Sequence, residues 1–295
     1  MYETTGLLSK DVKDPKTSIG HYLRSTFPNT KPLQAEYKAL AGDLLIDSMG
    51  ANAGTVGTAM DLIIRLILEP DETPMSALTL FPFNATYHQV VHELSALVGE
   101  AADREVAARA AWALALCVNA YRAGPAWAPL VPEMVQSGQF TADRMLGQAD
   151  DAAVAELIAL RELSQERLIP QLKGPFSLGP TFDLSEPGPA QRIAGEADLI
   201  AGGLLVDIKT TLAPRNKAGL RPDALKAENV YQLLGYVLLD YSNQYDIDQV
   251  GIYSARYGSL TVWPLNRVTS LLSGRDFDIN VGRHEVWGMM QQDPA

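Results

Sequence analysis

The sequence has little cysteine, a deficit of positive charge and no long apolar run. Cys117 is the single cysteine among 295 residues, which excludes a disulfide framework, a cysteine-rich zinc module and an iron–sulfur cluster. Lysine and arginine number 24 against 35 acidic residues, for a formal net charge of −11. This balance argues against a protein that coats nucleic acid or an anionic membrane by bulk charge, but it is compatible with a local basic site.

Segments that could cross or be carried across a membrane are also missing from the pattern. The longest apolar stretch, residues 62–68, is interrupted by Arg65 and is far shorter than the ~20 residues that a spanning helix needs. Residues 1–5 carry no basic run leading into an apolar segment, as a secretory signal would. We therefore expect a cytoplasmic protein.

The first half of the chain has a helical pattern. Helices are predicted within residues 58–68, 87–98 and 101–122, and Asp61 and Arg65 have the spacing of an ion pair on the first of them. The turn-rich stretch 124–129 is the best candidate boundary. The sequence thus predicts a helical N-terminal region over residues 1–128 and a second domain over residues 129–295, each large enough for a core.

Helical and extended patterns alternate in the second half. The predicted order is a helix at 151–167, strands at 180–184, 196–200 and 204–210, an apolar helix at 224–241, and a hairpin joining 250–253 to 260–263. This order is typical of the α+β class, with a mixed sheet flanked by helices.

One of these strand pairs has a turn that fixes its register. Gly202 and Gly203 fit a type I′ turn, because that turn needs positive φ at both central positions. The pairs counted outwards from the turn are then Ala201 with Leu204, Asp198 with Asp207, and Glu196 with Lys209.

Side chains alternate along a strand, so Glu196, Asp198, Asp207 and Lys209 are expected on one face. The opposite face is apolar and is formed by Ala197, Leu199, Val206 and Ile208. Two opposed carboxylates repel unless a cation lies between them, and Mg²⁺ and Mn²⁺ favour such ligands. The pattern predicts metal-assisted phosphodiester hydrolysis, with Lys209 positioning or activating water. The alternative is an exposed charged face with a surface ion pair.

The Asp-x-Lys pattern by itself is not specific. It recurs at Asp11-Val12-Lys13 and at Asp14-Pro15-Lys16, in a polar segment where no hairpin and no opposed acid accompany it. The hairpin context distinguishes the copy at Asp207.

Gln232 and Tyr236 are four residues apart and share a face of the apolar helix. That helix is apolar nearly all round, which implies burial on more than one side. A buried glutamine without a hydrogen-bond partner costs ~1–3 kcal/mol. We expect both side chains to meet a phosphate or the water around the metal; alternatively, Gln232 bonds to the backbone of a neighbouring strand.

The order Gly-x-x-Asp, Asp-x-Lys and Gln-x-x-x-Tyr, ending at Tyr236, resembles the RecB-type branch of the PD-(D/E)XK nuclease superfamily over roughly residues 150–265. The resemblance implies a restriction-endonuclease-like αβββαβ core. It also implies that Asp198 and Asp207 bind the divalent metal, that Lys209 assists catalysis, and that Gln232 contacts the site with Tyr236 as the associated aromatic residue.

Three points of comparison with this family pattern matter. Ala197 precedes Asp198 where the superfamily has proline, a change that the RecB-type branch tolerates. Family members often add an acidic residue on the preceding helix, which implies Glu162 or Glu166 as a further metal ligand. Some relatives hold an iron–sulfur cluster, which the single cysteine excludes here.

The stretch after the Asp-x-Lys motif is basic. Residues 209–226 contain five bases and one acid, Lys209, Arg215, Lys217, Arg221 and Lys226 against Asp223. Proline and glycine within it indicate a loop, and a basic loop beside a metal site is what binding of a phosphate backbone requires. Arg256 is expected to add a phosphate contact or to form a surface ion pair. The alternative for the loop is a solvated, flexible segment.

Together these features predict a nuclease that depends on Mg²⁺ or Mn²⁺ and acts on DNA, or on RNA, in phage defence, recombination or repair. The N-terminal helices would shape a nucleic-acid channel or bind a partner protein. The alternatives are a catalytically silent nucleic-acid-binding or scaffold subunit of a multi-protein assembly, and a hydrolase of small nucleotides. A phosphate-cradling glycine-rich loop is missing, so an ATP-driven activity is not expected.

Overall fold

The computed structural model describes residues 6–100, 102–124, 128–182 and 193–291. Its helices are α1 (Leu8–Asp11), α2 (Ser18–Thr26), α3 (Thr30–Leu40), α4 (Ala53–Leu68), α5 (Met75–Thr79), α6 (Ala85–Glu100), α7 (Arg104–Ala123), α8 (Leu130–Gln136), α9 (Ala142–Leu146), α10 (Asp151–Arg167), α11 (Ala227–Leu239), α12 (Leu265–Ser273) and α13 (Ile279–Gln291). Its strands are β1 (Phe176–Leu178), β2 (Thr181–Phe182), β3 (Gly195–Glu196), β4 (Leu199–Ala201), β5 (Leu204–Lys209), β6 (Gln249–Ser254) and β7 (Ser259–Pro264).

The main sheet is mixed and has five strands in the order β1-β4-β5-β6-β7. β5 and β6 are parallel and are joined through α11, whereas the other neighbours are antiparallel. The predicted α+β class is therefore confirmed, and the hairpin predicted between residues 250 and 263 is formed by β6 and β7.

One strand prediction needs correction. The strand expected at 180–184 is not the first strand of the main sheet, because that position is taken by β1. Residues 181 and 182 form β2, which pairs with β3 in a separate two-stranded sheet. Residues 183 and 184 lie outside the described part of the chain.

Helices cover both faces of the main sheet. One face, with Leu199, Val206 and Ile208, packs into a core with α4, α6, α7 and α10. The other face, with Ile200 and Leu205, packs into a second core with α1–α3 and α11–α13. The alternative of an exposed charged face on the hairpin is not observed, because Asp207 is buried and the side chains of Lys209 and Glu196 are only 23% and 26% exposed.

Both hydrophobic cores contain residues from each side of residue 128, the boundary expected from the sequence. The second core joins Leu23 and Tyr37 to Leu234 and Trp263. The first core likewise combines α4 and α7 with α10 and the sheet. The helical region and the second half thus share both hydrophobic cores, and residues 125–127 of the expected linker lie outside the described segments.

Local sequence explains where the helices near the site begin. The Asn52 side chain accepts a hydrogen bond from the Thr55 amide at 3.0 Å and caps α4, so that α4 begins before the expected residue 58. Asp150 caps α10 through the Ala153 amide at 2.7 Å. Among the described residues, no helix combines the length and apolarity needed to cross a membrane.

Candidate active site

The Gly202-Gly203 turn behaves as the sequence predicts. Both glycines have positive φ, +55° and +86°, and the predicted register holds from Ala201–Leu204 to Leu199–Val206. The ladder then ends, because the chain leaves the main sheet at residues 197 and 198.

This early end of the ladder overturns the pairing expected for Glu196. Glu196 is paired with Thr181 in the two-stranded sheet and not with Lys209. Ala197 is correspondingly part of the second core, whereas Leu199 belongs to the first. The turn fixes only the pairs within the continuous ladder, and the break beyond it moves Glu196 away from the expected face.

Asp198 nevertheless remains against β5. Its Oδ2 accepts a hydrogen bond from the backbone amide of Ile208 at 2.6 Å, and its own carbonyl accepts one from the Gly179 amide at 3.0 Å. A side-chain oxygen thus satisfies a strand amide at the point where the ladder stops. The carboxylate of Asp198 is thus held at the amide of the residue that follows Asp207, near enough for its charge to raise the Asp207 pKa.

Asp207 is almost completely buried, with 2% of its surface exposed. Burial raises the pKa of its carboxyl to about 6; the nearby charge of Asp198 raises it as well, and Lys209 lowers it. Lys209 Nζ lies 2.6 Å from Oδ2 of Asp207, although no hydrogen-bond donor of the described residues is aligned with that oxygen. The oxygen is therefore ion-paired but retains a capacity to accept a further ligand.

A chain of polar contacts links Lys209 to α11. Lys209 Nζ donates to Gln232 Oε1 at 3.3 Å, and Gln232 Nε2 donates to the Tyr236 hydroxyl at 2.8 Å. The hydroxyl in turn donates to the Glu196 carbonyl at 2.8 Å. The structure thus brings Asp198, Asp207, Lys209, Gln232 and Tyr236 into one cluster.

The polar chain affects the protonation of two of its members. Burial acts to lower the pKa of Lys209, but the charges of Asp207 and Asp198 outweigh it and raise that pKa. Lys209 therefore stays cationic. A protonated amine can attract a phosphate, but it cannot act as a base that removes a proton. Burial, with the same two carboxylates, also raises the pKa of Tyr236 well above its ordinary value, so its hydroxyl stays protonated.

Three residues that sequence reasoning did not assign to the site, Asp61, Arg65 and Arg122, lie around it together with Glu196. Arg65 of α4 contacts Asp61 of the same helix at 2.8 Å and Glu196 at 3.3 Å. Arg122 of α7 contacts Glu196 at 2.9 Å. Burial raises the pKa of Asp61 to about 7, against the charge of Arg65, and Asp198 raises it further. The predicted Asp61–Arg65 ion pair is confirmed, and its charges reach Asp198. A charged pair within an apolar helix was the signal that marked this position.

The acidic residues proposed on the preceding helix have other contacts. Glu162 forms an ion pair with Arg104, and its side chain is 45% exposed. Glu166 pairs with the adjacent Arg167 at 2.9 Å and is 66% exposed. Neither of them is among the charges that shift the pKa of the buried Asp207, and the helical carboxylate that interacts with Asp198 is Asp61, whose pKa the Asp198 charge raises.

The basic loop after β5 is partly neutralised within the protein. Arg215 and Arg221 both contact the carboxylate of Asp47, at 2.8 Å and 3.4 Å. Lys217 and Lys226 are exposed. The loop is anchored near its end by Asp223, which accepts a hydrogen bond from the Tyr37 hydroxyl at 2.6 Å.

Arg256 has a structural role that differs from the expected phosphate contact. It is 2% exposed and forms an ion pair with Glu156, which is completely buried. Its Nε donates to the Thr210 carbonyl at 2.5 Å and one Nη donates to the Asp47 carbonyl at 3.3 Å. The guanidinium is therefore enclosed and unavailable to a phosphate.

A metal ion at this site would be held by the carboxylates of Asp198 and Asp207. Within the described ranges, no group of three histidine, cysteine or acidic side chains is arranged to hold a metal ion. Mg²⁺ commonly binds through one or two carboxylates and completes its shell with water and substrate phosphates. Two neighbouring carboxylates, one with an oxygen lacking an aligned donor, fit that mode of binding.

Comparison with known proteins adds no assignment to this geometry. The sequence matches no protein-family model, and it has no significant match among curated proteins.

Proposed function

We propose that the protein is a divalent-metal-dependent nuclease that hydrolyses phosphodiester bonds of DNA. The observation that carries the proposal is the polar cluster around Lys209. Its Nζ lies 2.6 Å from Asp207 and 3.3 Å from Gln232. The Asp198 carboxylate accepts a hydrogen bond from the backbone amide of Ile208, which lies between Asp207 and Lys209 on β5. The strands of the main sheet and their flanking helices also support it, because α10, β1, β4, β5, α11 and β6 follow the αβββαβ order that the family resemblance implies once β2 and β3 of the small separate sheet are set aside.

Each residue of the cluster has a role in this proposal. Asp198 and Asp207 would hold Mg²⁺ or Mn²⁺, which supplies Lewis-acid activation of a phosphate oxygen and of the attacking water. Lys209 keeps its proton and offers a positive charge to the phosphate. Gln232 orients Lys209, and Tyr236 orients Gln232 through its hydroxyl.

The test is cleavage by the purified full chain. Plasmid and single-stranded DNA are incubated with Mn²⁺ or Mg²⁺, and the products are separated on gels. Lys209→Met should lower the rate on the order of 10²–10³-fold, as expected for the loss of one electrostatic stabiliser, and Asp207→Ala should abolish cutting. Lys16→Met, in the Asp-x-Lys copy outside the cluster, is the matched control and should leave the rate unchanged. Equal rates for wild type and Asp207→Ala would refute the proposal.

A second candidate is a silent nucleic-acid-binding or scaffold subunit. One observation favours it: Lys209 already neutralises Asp207, in the place where a metal would act. Calorimetry separates the two candidates. A nuclease should bind Mn²⁺ more tightly than its Asp198→Ala variant, whereas a silent subunit should show no difference.

A further inference from the structure

Two arginine side chains converge on one exposed carboxylate beside the candidate site. Arg215 Nη2 lies 2.8 Å from Oδ2 of Asp47, and Arg221 Nε lies 3.4 Å from Oδ1. All three side chains reach solvent, with 58%, 25% and 40% of Arg215, Arg221 and Asp47 exposed. Exposed ion pairs of this kind are weak and readily exchanged.

The backbone of Asp47 is held independently of its carboxylate. The amides of Leu45 and Ile46 donate to the Arg256 carbonyl at 3.0 Å and 3.1 Å, and Arg256 donates to the Asp47 carbonyl. Replacing the carboxylate therefore changes the charge presented to the two arginines without releasing the segment that carries it.

Arg215 and Arg221 belong to the loop that follows β5, the strand that bears Asp207 and Lys209. Arg256, which holds the Asp47 carbonyl, also donates to the carbonyl of Thr210, the residue after Lys209. The Ala255 amide donates to the Lys209 carbonyl at 2.8 Å. The loop with Arg215 and Arg221 leaves β5 from this point.

We propose that Arg215 and Arg221 form a phosphate-binding fork and that Asp47 occupies the fork until a phosphodiester group of a nucleic acid strand replaces it. Guanidinium groups bind carboxylate and phosphate oxygens with the same geometry, so one anion can substitute for the other. A hydrogen bond donated by the backbone amide of Ser48, together with the arginine charges, lowers the pKa of Asp47, so the competing carboxylate is ionised over the working pH range. The nucleic-acid part of this inference rests on the proposed nuclease function.

The decisive variant is Asp47→Asn, which keeps the shape of the side chain and removes its charge. Binding to tripolyphosphate is measured by calorimetry, and binding to a fluorescein-labelled single-stranded oligonucleotide by anisotropy, both in EDTA at 50 mM NaCl. Freeing the fork should tighten both on the order of three- to tenfold. The matched control is Asp43→Asn, the same change of net charge at an exposed residue that forms no ion pair with a described residue.

Several outcomes would overturn the inference. Equal tightening by Asp47→Asn and Asp43→Asn would reduce the effect to bulk charge. Weaker binding by Asp47→Asn would mean that the carboxylate orders the arginines for their ligand. In a background of Arg215→Ala with Arg221→Ala, the Asp47→Asn change should have no more effect than Asp43→Asn, and a larger tightening would refute the fork.

These binding measurements, combined with the cleavage assay, separate the fork from the nuclease proposal. If Asp47→Asn tightens both probes and wild type cuts no DNA, the fork stands and the nuclease proposal fails. If wild type cuts DNA and Asp47→Asn equals Asp43→Asn, the nuclease proposal stands and the fork fails. Tightening for tripolyphosphate without tightening for the oligonucleotide would overturn the assignment to a nucleic acid strand.

Discussion

Removing the charge of Glu156 should destabilise the protein strongly, through the arginine that the change leaves behind. Glu156 is completely buried, and its partner Arg256 is 2% exposed. The second oxygen of Glu156 accepts a hydrogen bond from the Met49 amide at 2.7 Å. Loss of one member of a buried pair typically costs ~3–5 kcal/mol, because the remaining charge is uncompensated. That is a large part of a free energy of unfolding of ~5–15 kcal/mol.

Thermal unfolding followed by circular dichroism tests this expectation. Glu156→Gln should lower the Tm on the order of 10 °C. The matched control is Glu162→Gln, on the same helix, whose ion pair with Arg104 is exposed and should contribute within ~1 kcal/mol. Replacing both Glu156 and Arg256 with apolar side chains of similar volume should recover much of the loss. Equal changes of Tm for Glu156→Gln and Glu162→Gln would refute the reasoning from burial.

Two further predictions concern groups at the site. In EDTA, the free energy of unfolding should fall as the pH rises from about 4 to 6, because burial raises the Asp207 pKa to about 6 and the folded chain keeps a proton that the unfolded chain has lost. Urea titrations should show this dependence reduced on the order of 1–3 kcal/mol in Asp207→Asn, and unchanged profiles would contradict the assignment. Gly179→Ala should lower the Tm more than Gly138→Ala: both glycines have positive φ, but a Cβ at Gly179 would lie 2.0 Å from Arg65 Nη1, whereas at Gly138 it would meet open space. Equal Tm changes would show that Arg65 yields without cost.

Local signals in the sequence predicted the parts of the site that depend on neighbouring residues. The Gly202-Gly203 turn gave the hairpin register, because a requirement for positive φ is set by two residues alone. Likewise, Gln232 and Tyr236 share a face because helical periodicity places them there, and their hydrogen bond of 2.8 Å follows.

Contacts between distant segments could not be predicted in the same way. Glu196 lies away from the hairpin face and forms ion pairs with Arg65 and Arg122, which belong to two separate helices. Arg256 is buried because Glu156, 100 residues earlier, accepts its charge. In both cases the position of the side chain depends on a partner that tertiary packing brings near it. The charged residues next to it in the sequence do not indicate which partner that is.

The mixed origin of the second core has a consequence for how the chain folds. The hydrogen bond from the Tyr231 hydroxyl to the Phe27 carbonyl spans 204 residues, and α1–α3 bury their apolar faces mainly against elements from the last third of the sequence. During synthesis, α1–α3 cannot pack into the second core until the C-terminal elements have left the ribosome. Pairings of such high sequence separation slow folding and leave apolar surface exposed in the interim. The first core, by contrast, contains contacts such as α6 with α7 that form between near neighbours. Folding should therefore begin in the α4–α10 layer and end when α1–α3 dock.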